Sequence, residues 1–262
     1  MSAVPATPAL PVLTASGDTP LAQIPALVVP ALGDTLLMVG VVMVLVVALG
    51  VPLGVLVHDL APGGLFENRP LHTALGWVVS VGRSLPFLIL MAALVPVTRF
   101  ITGTNIGIAA AVVPMTLAGT AFFARIVENA LRSVPPELVR VARASGASPL
   151  QIITTVQLSE AAPLVVGGLT INTIAMIEYS AIAGTIGAGG IGYVAVTYGY
   201  QRFDHAVMIT TIAILVGAVA LVQLVGDRLV RRLTPHLRTA RRGRAGAAAR
   251  PDPAPAAPQA AA

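Results

Sequence analysis

The chain has 262 residues, of which 56% are hydrophobic and 10% are charged, and its mean hydropathy is +0.86. Soluble domains carry roughly 25% charged residues, so this composition excludes a water-soluble globular protein and indicates a membrane protein. The net charge is +5 without any lysine, and the arginines flank apolar stretches instead of alternating with aromatic residues, which favours membrane topology over nucleic-acid binding.

The chain begins with a segment rich in proline and alanine, residues 1–33, that contains no lysine or arginine. A secretory signal needs a positively charged start before its apolar region, so we predict an uncleaved external segment. Five apolar segments follow, each long enough to cross a hydrocarbon layer of roughly 30 Å. The predicted membrane spans are residues 35–57, 75–97, 106–124, 164–186 and 206–225.

These spans predict an all-α fold, a bundle of five transmembrane helices, because backbone groups in lipid must pair with one another. Pro52, Pro86 and Pro114 lie inside predicted spans. Membrane helices tolerate proline where neighbouring groups pair with the freed carbonyls, so we predict that each span stays a single helix.

The distribution of arginine predicts the orientation. Only Arg99 and Arg202 would lie on one side of the membrane. The other side would hold Arg69, Arg125, Arg132, Arg140, Arg143, Arg228, Arg231, Arg232 and the arginines of the tail. The positive-inside rule then places the N-terminus outside and the C-terminus in the cytoplasm of a bacterial cell, across its inner membrane. Residues 232–262 are rich in arginine, alanine and proline, which predicts a disordered cytoplasmic tail.

The connection between the third and fourth spans is much longer than the 2–8 residues that join bundled helices. We call its residues 135–160 the elbow. Pro135 and Pro136 suit a first helical turn, and Glu137 complements the positive end of a helix. Gly146 is placed to end this helix with a positive φ.

A second helix start follows at Ser148, Pro149 and Gln151, which supply a cap, a first-turn proline and a capping-box partner. We therefore predict two cytoplasmic helices joined by a glycine turn. One interpretation is an ordinary interfacial loop, and the other is a docking element for a cytoplasmic partner. The chain has no lysine and no G-x-x-x-x-G-K-[ST] phosphate loop, so any energy from ATP must come from another subunit.

The elbow resembles the loop that defines permease subunits of ABC importers, in which E-A-A is followed after three residues by G and after nine more by I-x-L-P. The spacing is kept, and Ala142, Gly146 and Leu158 match the pattern. Arg140 stands where that family has glutamate, and Ser159 where it has proline. Glu137, one turn before Arg140, is a candidate replacement for the missing acid.

Within that family the chain is similar to permeases of methionine importers over residues 34–231. The similar stretches are Arg83–Phe87, Gly103–Gly107, Ala124–Leu131, Gly146–Ile152, Glu160–Ala161, Tyr179–Ala181, Gly187–Gly192 and Tyr198–Tyr200. The resemblance implies a type I importer permease fold. It also implies that two copies of this chain form a path for methionine, in its L- and D-forms, and that this path opens alternately to each side of the membrane. It also implies two cytoplasmic ATPase subunits and an extracytoplasmic substrate-binding lipoprotein as partners. The implied ATPase-coupling residues are Glu137, Arg140, Ala142, Arg143, Gly146, Ala147, Pro149 and Leu150.

Glu178 lies well inside the fourth predicted span, and a carboxylate at membrane depth usually faces a bundle interior or a wet cavity. One interpretation is that Glu178, with Asn172, Tyr179 and Ser180, lines the translocation path. The other is a carboxyl group that is protonated or paired, for example with Arg83.

Other function classes fit less well. Gly187 to Gly192 spells G-x-G-x-x-G, but it follows a predicted membrane helix and leads into a predicted external loop, which argues against dinucleotide binding. An intramembrane hydrolase needs serine with histidine or paired aspartates at membrane depth, and all four histidines lie outside the predicted spans. A secondary transporter would show internal repeats and paired intramembrane charges, but the sequence shows no repeat and places only Glu178 clearly inside a span. A permease for another small amino acid or related solute, a secondary transporter and a membrane scaffold remain alternatives. We predict no catalytic residue, no metal site and no cofactor.

Overall fold

The computed structural model describes residues 19–234, so residues 1–18 of the predicted external segment and 235–262 of the predicted tail lie outside the described residues. The described part is helical and contains no strand. Its α-helices are α1 (Ile24–Asp59), α2 (Arg69–Ser84), α3 (Phe87–Ala93), α4 (Val95–Thr102), α5 (Ile108–Arg132), α6 (Pro136–Ala144), α7 (Pro149–Gln151), α8 (Leu158–Ala183), α9 (Gly190–Val194) and α10 (His205–Leu233).

Four helical stretches are long and apolar enough to cross a membrane, and a bent pair of helices makes up to five. α1 has 36 residues and is therefore about 54 Å long, well over the roughly 30 Å of the hydrocarbon layer. It begins at Ile24, so residues 24–33 of the predicted external segment are helical and continuous with the first span. Val28 and Ala31 pack against Ile191 and Val207, which makes the helical extension favourable.

The second predicted span is not a single helix. α2 and α3 meet at an angle of 107°, and the chain between them is extended at Leu85, with ψ near 130°. Proline disfavours α-helical geometry at the residue before it, and here Pro86 breaks the span. Pro52 and Pro114, in contrast, lie inside continuous helices as predicted.

The core forms where α1 packs along α5 and α5 packs along α8. Met38 and Val46 of α1, Phe123 and Val127 of α5, and Met176 of α8 are fully buried there. α10 packs against α8 but buries few of its side chains. Many leucine, isoleucine and valine side chains consequently point outward, as expected for helices surrounded by lipid.

At the far end of α8 the chain turns sharply through Gly189 and Gly190, whose φ angles of 84° and 78° favour glycine. The connection that was predicted as an external loop is largely helical, because α9 and a π-helical turn follow. Thr35 of α1 holds the start of α9 by accepting a 2.9 Å hydrogen bond from the Ile191 amide. α10 then begins with Asp204 as its cap, which accepts from the amide of Val207 at 3.0 Å.

Asp204 also binds the segment that precedes α1. Its second carboxylate oxygen accepts a 2.7 Å hydrogen bond from the amide of Thr19, and both residues are buried. Burial acts to raise the pKa of Asp204, but the hydrogen bonds from Thr19 and Val207 outweigh it and hold the pKa below its ordinary value. The first and last long helices are thus joined at one end of the bundle.

Candidate functional site

The first half of the elbow has the predicted structure. α6 begins at Pro136, after Pro135, and carries Glu137 in its first turn. It ends before Gly146, whose φ is 78°. The amide of Gly146 donates to the Arg143 carbonyl at 3.0 Å, and the next amide, of Ala147, donates to Ala142 at 3.1 Å. Gly146 therefore supplies the left-handed residue that ends α6.

The second half begins as predicted and then differs. Ser148 caps α7, and both bonds of its capping box with Gln151 are present. The second predicted helix is present, but it does not end before the fourth span, since α7 runs on through a π-helical turn, Ile152–Gln157, into α8. No glycine or proline lies between residues 150 and 162, so nothing in the sequence interrupts the helix there.

The elbow presents an unusually open surface. None of the described residues of α6 is buried. Val141 is 65% exposed and Leu150 is 70% exposed, although both are apolar. Of the residues assigned to coupling, Glu137, Arg140, Arg143, Gly146, Pro149 and Leu150 are exposed and Ala142 and Ala147 are half-buried. The structure therefore brings them together on one accessible surface.

Charges on this surface are partly matched within the chain. Arg140 donates to Glu137 at 2.7 Å, so Glu137 already has a partner on its own helix. Arg143 donates to the carbonyl of Gly64 at 3.2 Å, which connects α6 to the loop between α1 and α2. Glu67 in that loop accepts from the Gly63 amide at 3.1 Å, and this bond is the main reason why its pKa is lowered.

A cavity of about 610 Å³ lies beside the elbow, between the end of α1, the loop that follows it, the end of α5, and α6. Asp59, the last residue of α1, and Gln157 both line the cavity. The Gln157 amide donates a 2.8 Å hydrogen bond to Asp59. Asp59 is 1% exposed and Gln157 is 3% exposed. This pair was not predicted from the sequence, although Asp59 lies two residues after the first predicted span.

Glu128 near the end of α5 was also missed. It is fully buried and accepts from Arg125 at 2.7 Å and from Arg132 at 2.5 Å. Arg125 donates further to the hydroxyl of Ser80 at 2.9 Å, which links α5 to α2. The sequence analysis used both arginines only as markers of topology. Their spacing of three and four residues from Glu128 was the available signal.

Comparison with known proteins identifies the family to which the chain belongs. Residues 50–239 match the model of the binding-protein-dependent transport system inner membrane component. The chain belongs to this family. It is therefore a membrane-embedded permease subunit of an ABC importer, and a transport component instead of an enzyme.

Individual relatives of this permease are similar over most of their length. The probable D-methionine transport system permease protein MetI of Vibrio cholerae serotype O1 is 48% identical over 207 residues, which is 79% of this chain and 92% of that protein. The protein with the same description from Pasteurella multocida is 38% identical over 199 residues, which is 76% of this chain and 92% of that protein.

Solved structures agree with this assignment. An inward-facing conformation of the MetNI methionine ABC transporter matches with a TM-score of 0.80 and 40% identity, over 82% of this chain and 100% of that chain. An amino acid ABC transporter matches with a TM-score of 0.62 at 20% identity, over 81% of this chain and 97% of that chain, which shows a shared fold.

The four residues of the permease that were assigned to a path do not share one surface. Asn172 and Ser180 are buried inside the protomer, on the face of α8 that packs in the core. Glu178 is exposed on another face. Tyr179 is half-buried and stacks on Phe87, with ring centroids 4.3 Å apart. Within residues 19–234, Glu178 forms no ion pair with Arg83.

Proposed function

We propose that this permease moves methionine, in its L- and D-forms, across the bacterial inner membrane. The observation that carries the proposal is its 48% identity to a D-methionine transport permease over 92% of that relative. The match to a methionine ABC transporter, at a TM-score of 0.80, supports the same substrate. Residues 34–231 form the permease domain in this proposal.

In this proposal two copies of the chain work with two ATPase subunits and an extracytoplasmic substrate-binding lipoprotein. The sequence lacks the lysine that a phosphate loop requires, so the motor must be a separate chain. The exposed apolar side chains Val141 and Leu150 suit burial in a groove of that chain. Closure of the two ATPases on ATP would move the elbows and open the path alternately to each side.

Arg140 gives the elbow its own charge pattern. Since Arg140 and Glu137 are paired and both largely exposed, Glu137 is only partly available to replace the glutamate that the family has at position 140. An ATPase groove that binds this elbow would therefore face a pair of opposite charges instead of a single carboxylate.

Helix directions and the distribution of arginine support the proposed orientation. α1, α5 and α10 all end on the side of the membrane that carries the elbow, near Arg132 and Arg231. The opposite side carries Arg99 and Arg202. The positive-inside rule supports a cytoplasmic elbow and C-terminus and an external N-terminus.

Uptake by the reconstituted importer tests the proposal. We expect liposomes that contain the permease and its ATPase to accumulate labelled methionine only with internal ATP and external binding protein. An ATPase variant that cannot hydrolyse ATP is the control. If the liposomes accumulate another small amino acid but not methionine, that amino acid is the substrate and the methionine assignment is wrong. Uptake driven by an ion gradient without ATPase would instead indicate a secondary transporter.

We propose that Glu178, with Tyr179 beside it, lines the translocation path, and a variant of Glu178 tests this. An exposed carboxylate at membrane depth is costly toward lipid, so its exposed face suits the water-filled path between two copies. We expect Glu178→Gln to slow ATP-driven methionine uptake several-fold while the complex still assembles. Asn172→Asp places a carboxylate on the packed face and should instead reduce assembly. Unchanged uptake by Glu178→Gln would argue against a role in the path.

A further inference from the structure

We propose that the buried hydrogen bond from Gln157 to Asp59 transmits movement of the elbow to α1, the first membrane-spanning helix. Gln157 is then a positioning residue for transport, acting through Asp59. The inference rests on the proposed function, in which an ATPase moves the elbow. It adds a second route by which that movement reaches the membrane, besides the direct continuation of α7 into α8.

The contact joins parts of the chain that are distant in sequence. Asp59 ends α1, and Gln157 ends the π-helical turn before α8, 98 residues later. Their 2.8 Å bond is almost completely shielded from water. Shielding strengthens a hydrogen bond to a carboxylate and makes its loss costly, because neither group can turn to water instead. The bond can therefore carry force between the two helices.

A second contact holds the same end of α1 from the other side of the elbow. Arg143 of α6 donates to the carbonyl of Gly64, five residues after α1 ends. The elbow thus reaches the end of α1 at two points, through Arg143 from α6 and through Gln157 from the turn before α8. The cavity of about 610 Å³ lies between these points and leaves α6 room to move relative to α1.

The π-helical turn provides the conformational freedom that such a route needs. π-helical turns inside α-helices occur frequently at functional sites. A shift of one residue in helical register turns a side chain by about 100° around the axis. Rewinding Ile152–Gln157 as α-helix would therefore move Gln157, and the hydrogen bond would pass that movement to Asp59 at the end of α1. The other oxygen of Asp59 has no hydrogen-bond partner among the residues that the structure describes, so among them only Gln157 donates to this carboxylate.

The test measures ATP hydrolysed per methionine transported by the complete complex in liposomes. We expect Gln157→Leu to raise this ratio by about tenfold or more, the effect of losing one hydrogen bond to a charged group, while ATP hydrolysis continues. Gln201→Leu changes an exposed glutamine on the opposite side of the membrane and should leave the ratio unchanged.

The reciprocal double variant separates transmission from folding. Asp59→Asn combined with Gln157→Glu rebuilds the hydrogen bond with donor and acceptor exchanged, and we expect it to restore the ratio toward the wild-type value. A wild-type ratio for Gln157→Leu, or an assembled double variant that stays uncoupled, would overturn the inference and leave the proposed function intact. Absence of ATP-driven methionine uptake by the wild-type complex would overturn the proposed function itself.

Discussion

Gly54→Ala is expected to destabilise the permease, although the change adds only one methyl group. A Cβ atom at position 54 would lie 2.6 Å from the carbonyl oxygen of Ala124 and 2.6 Å from the Cβ atom of Val127. The first of these is a backbone atom of α5, so α1 and α5 would have to move apart. Overpacking of this kind costs about 1–3 kcal/mol, and the midpoint of thermal unfolding of the purified permease should fall.

Gly40→Ala is the matched control, because it makes the same change in the same helix. A Cβ atom at position 40 meets nothing within 4 Å, and alanine favours helix over glycine by up to about 1 kcal/mol. Its unfolding midpoint should stay equal or rise. Equal midpoints for Gly54→Ala and Gly40→Ala would show that α1 and α5 are not packed this closely at Gly54.

Glu128→Ala is expected to have the second large effect. It leaves Arg125 and Arg132 without their carboxylate and weakens the link through Arg125 to Ser80 of α2. Arg125 is only 24% exposed and would lose a partner that is almost completely buried, so the loss should exceed the roughly 0–1 kcal/mol that an exposed ion pair contributes. We expect a lower unfolding midpoint and a smaller yield of assembled permease in detergent, measured by size-exclusion chromatography.

Glu137→Ala provides the comparison, since Glu137 also pairs with an arginine three residues away at 2.7 Å. The two pairs differ in burial: the side chain of Glu137 is 63% exposed and that of Glu128 is 1% exposed. An exposed pair contributes roughly 0–1 kcal/mol, so Glu137→Ala should leave the midpoint almost unchanged. If both variants lowered the unfolding midpoint equally, burial would not determine how much each ion pair contributes to stability.

The sequence predicted the helices well wherever the determining signal is local. The cap at Ser148, the stop at Gly146 and the start at Pro136 are all confirmed, because each depends on a few neighbouring residues. Pro86 shows the limit of such signals. It breaks a span while Pro52 and Pro114 lie inside continuous helices, so the presence of proline alone does not predict whether a membrane helix continues.

The contacts around the elbow could be predicted only in part, because some of them join residues that are far apart in the sequence. Arg140 lies on α6 and Leu150 on α7, both in the elbow that was predicted to lie outside the membrane, so their exposure could be expected from the sequence. The pairing of Asp59 with Gln157 does not, because 98 residues separate them and no periodic pattern relates them. Glu128 was closer to prediction, since Arg125 and Arg132 lie within one helical turn of it.

The cavity beside the elbow also offers a way to inhibit uptake. Its volume of about 610 Å³ falls in the range of 300–1,000 Å³ that is typical of drug-binding pockets. An anionic compound that filled it would lie beside Arg143, one of the arginines along its wall. In the proposed mechanism the compound would occupy the space that α6 needs for its movement. Such a compound would act on the opposite face from the binding protein, so higher concentrations of solute would not relieve the inhibition.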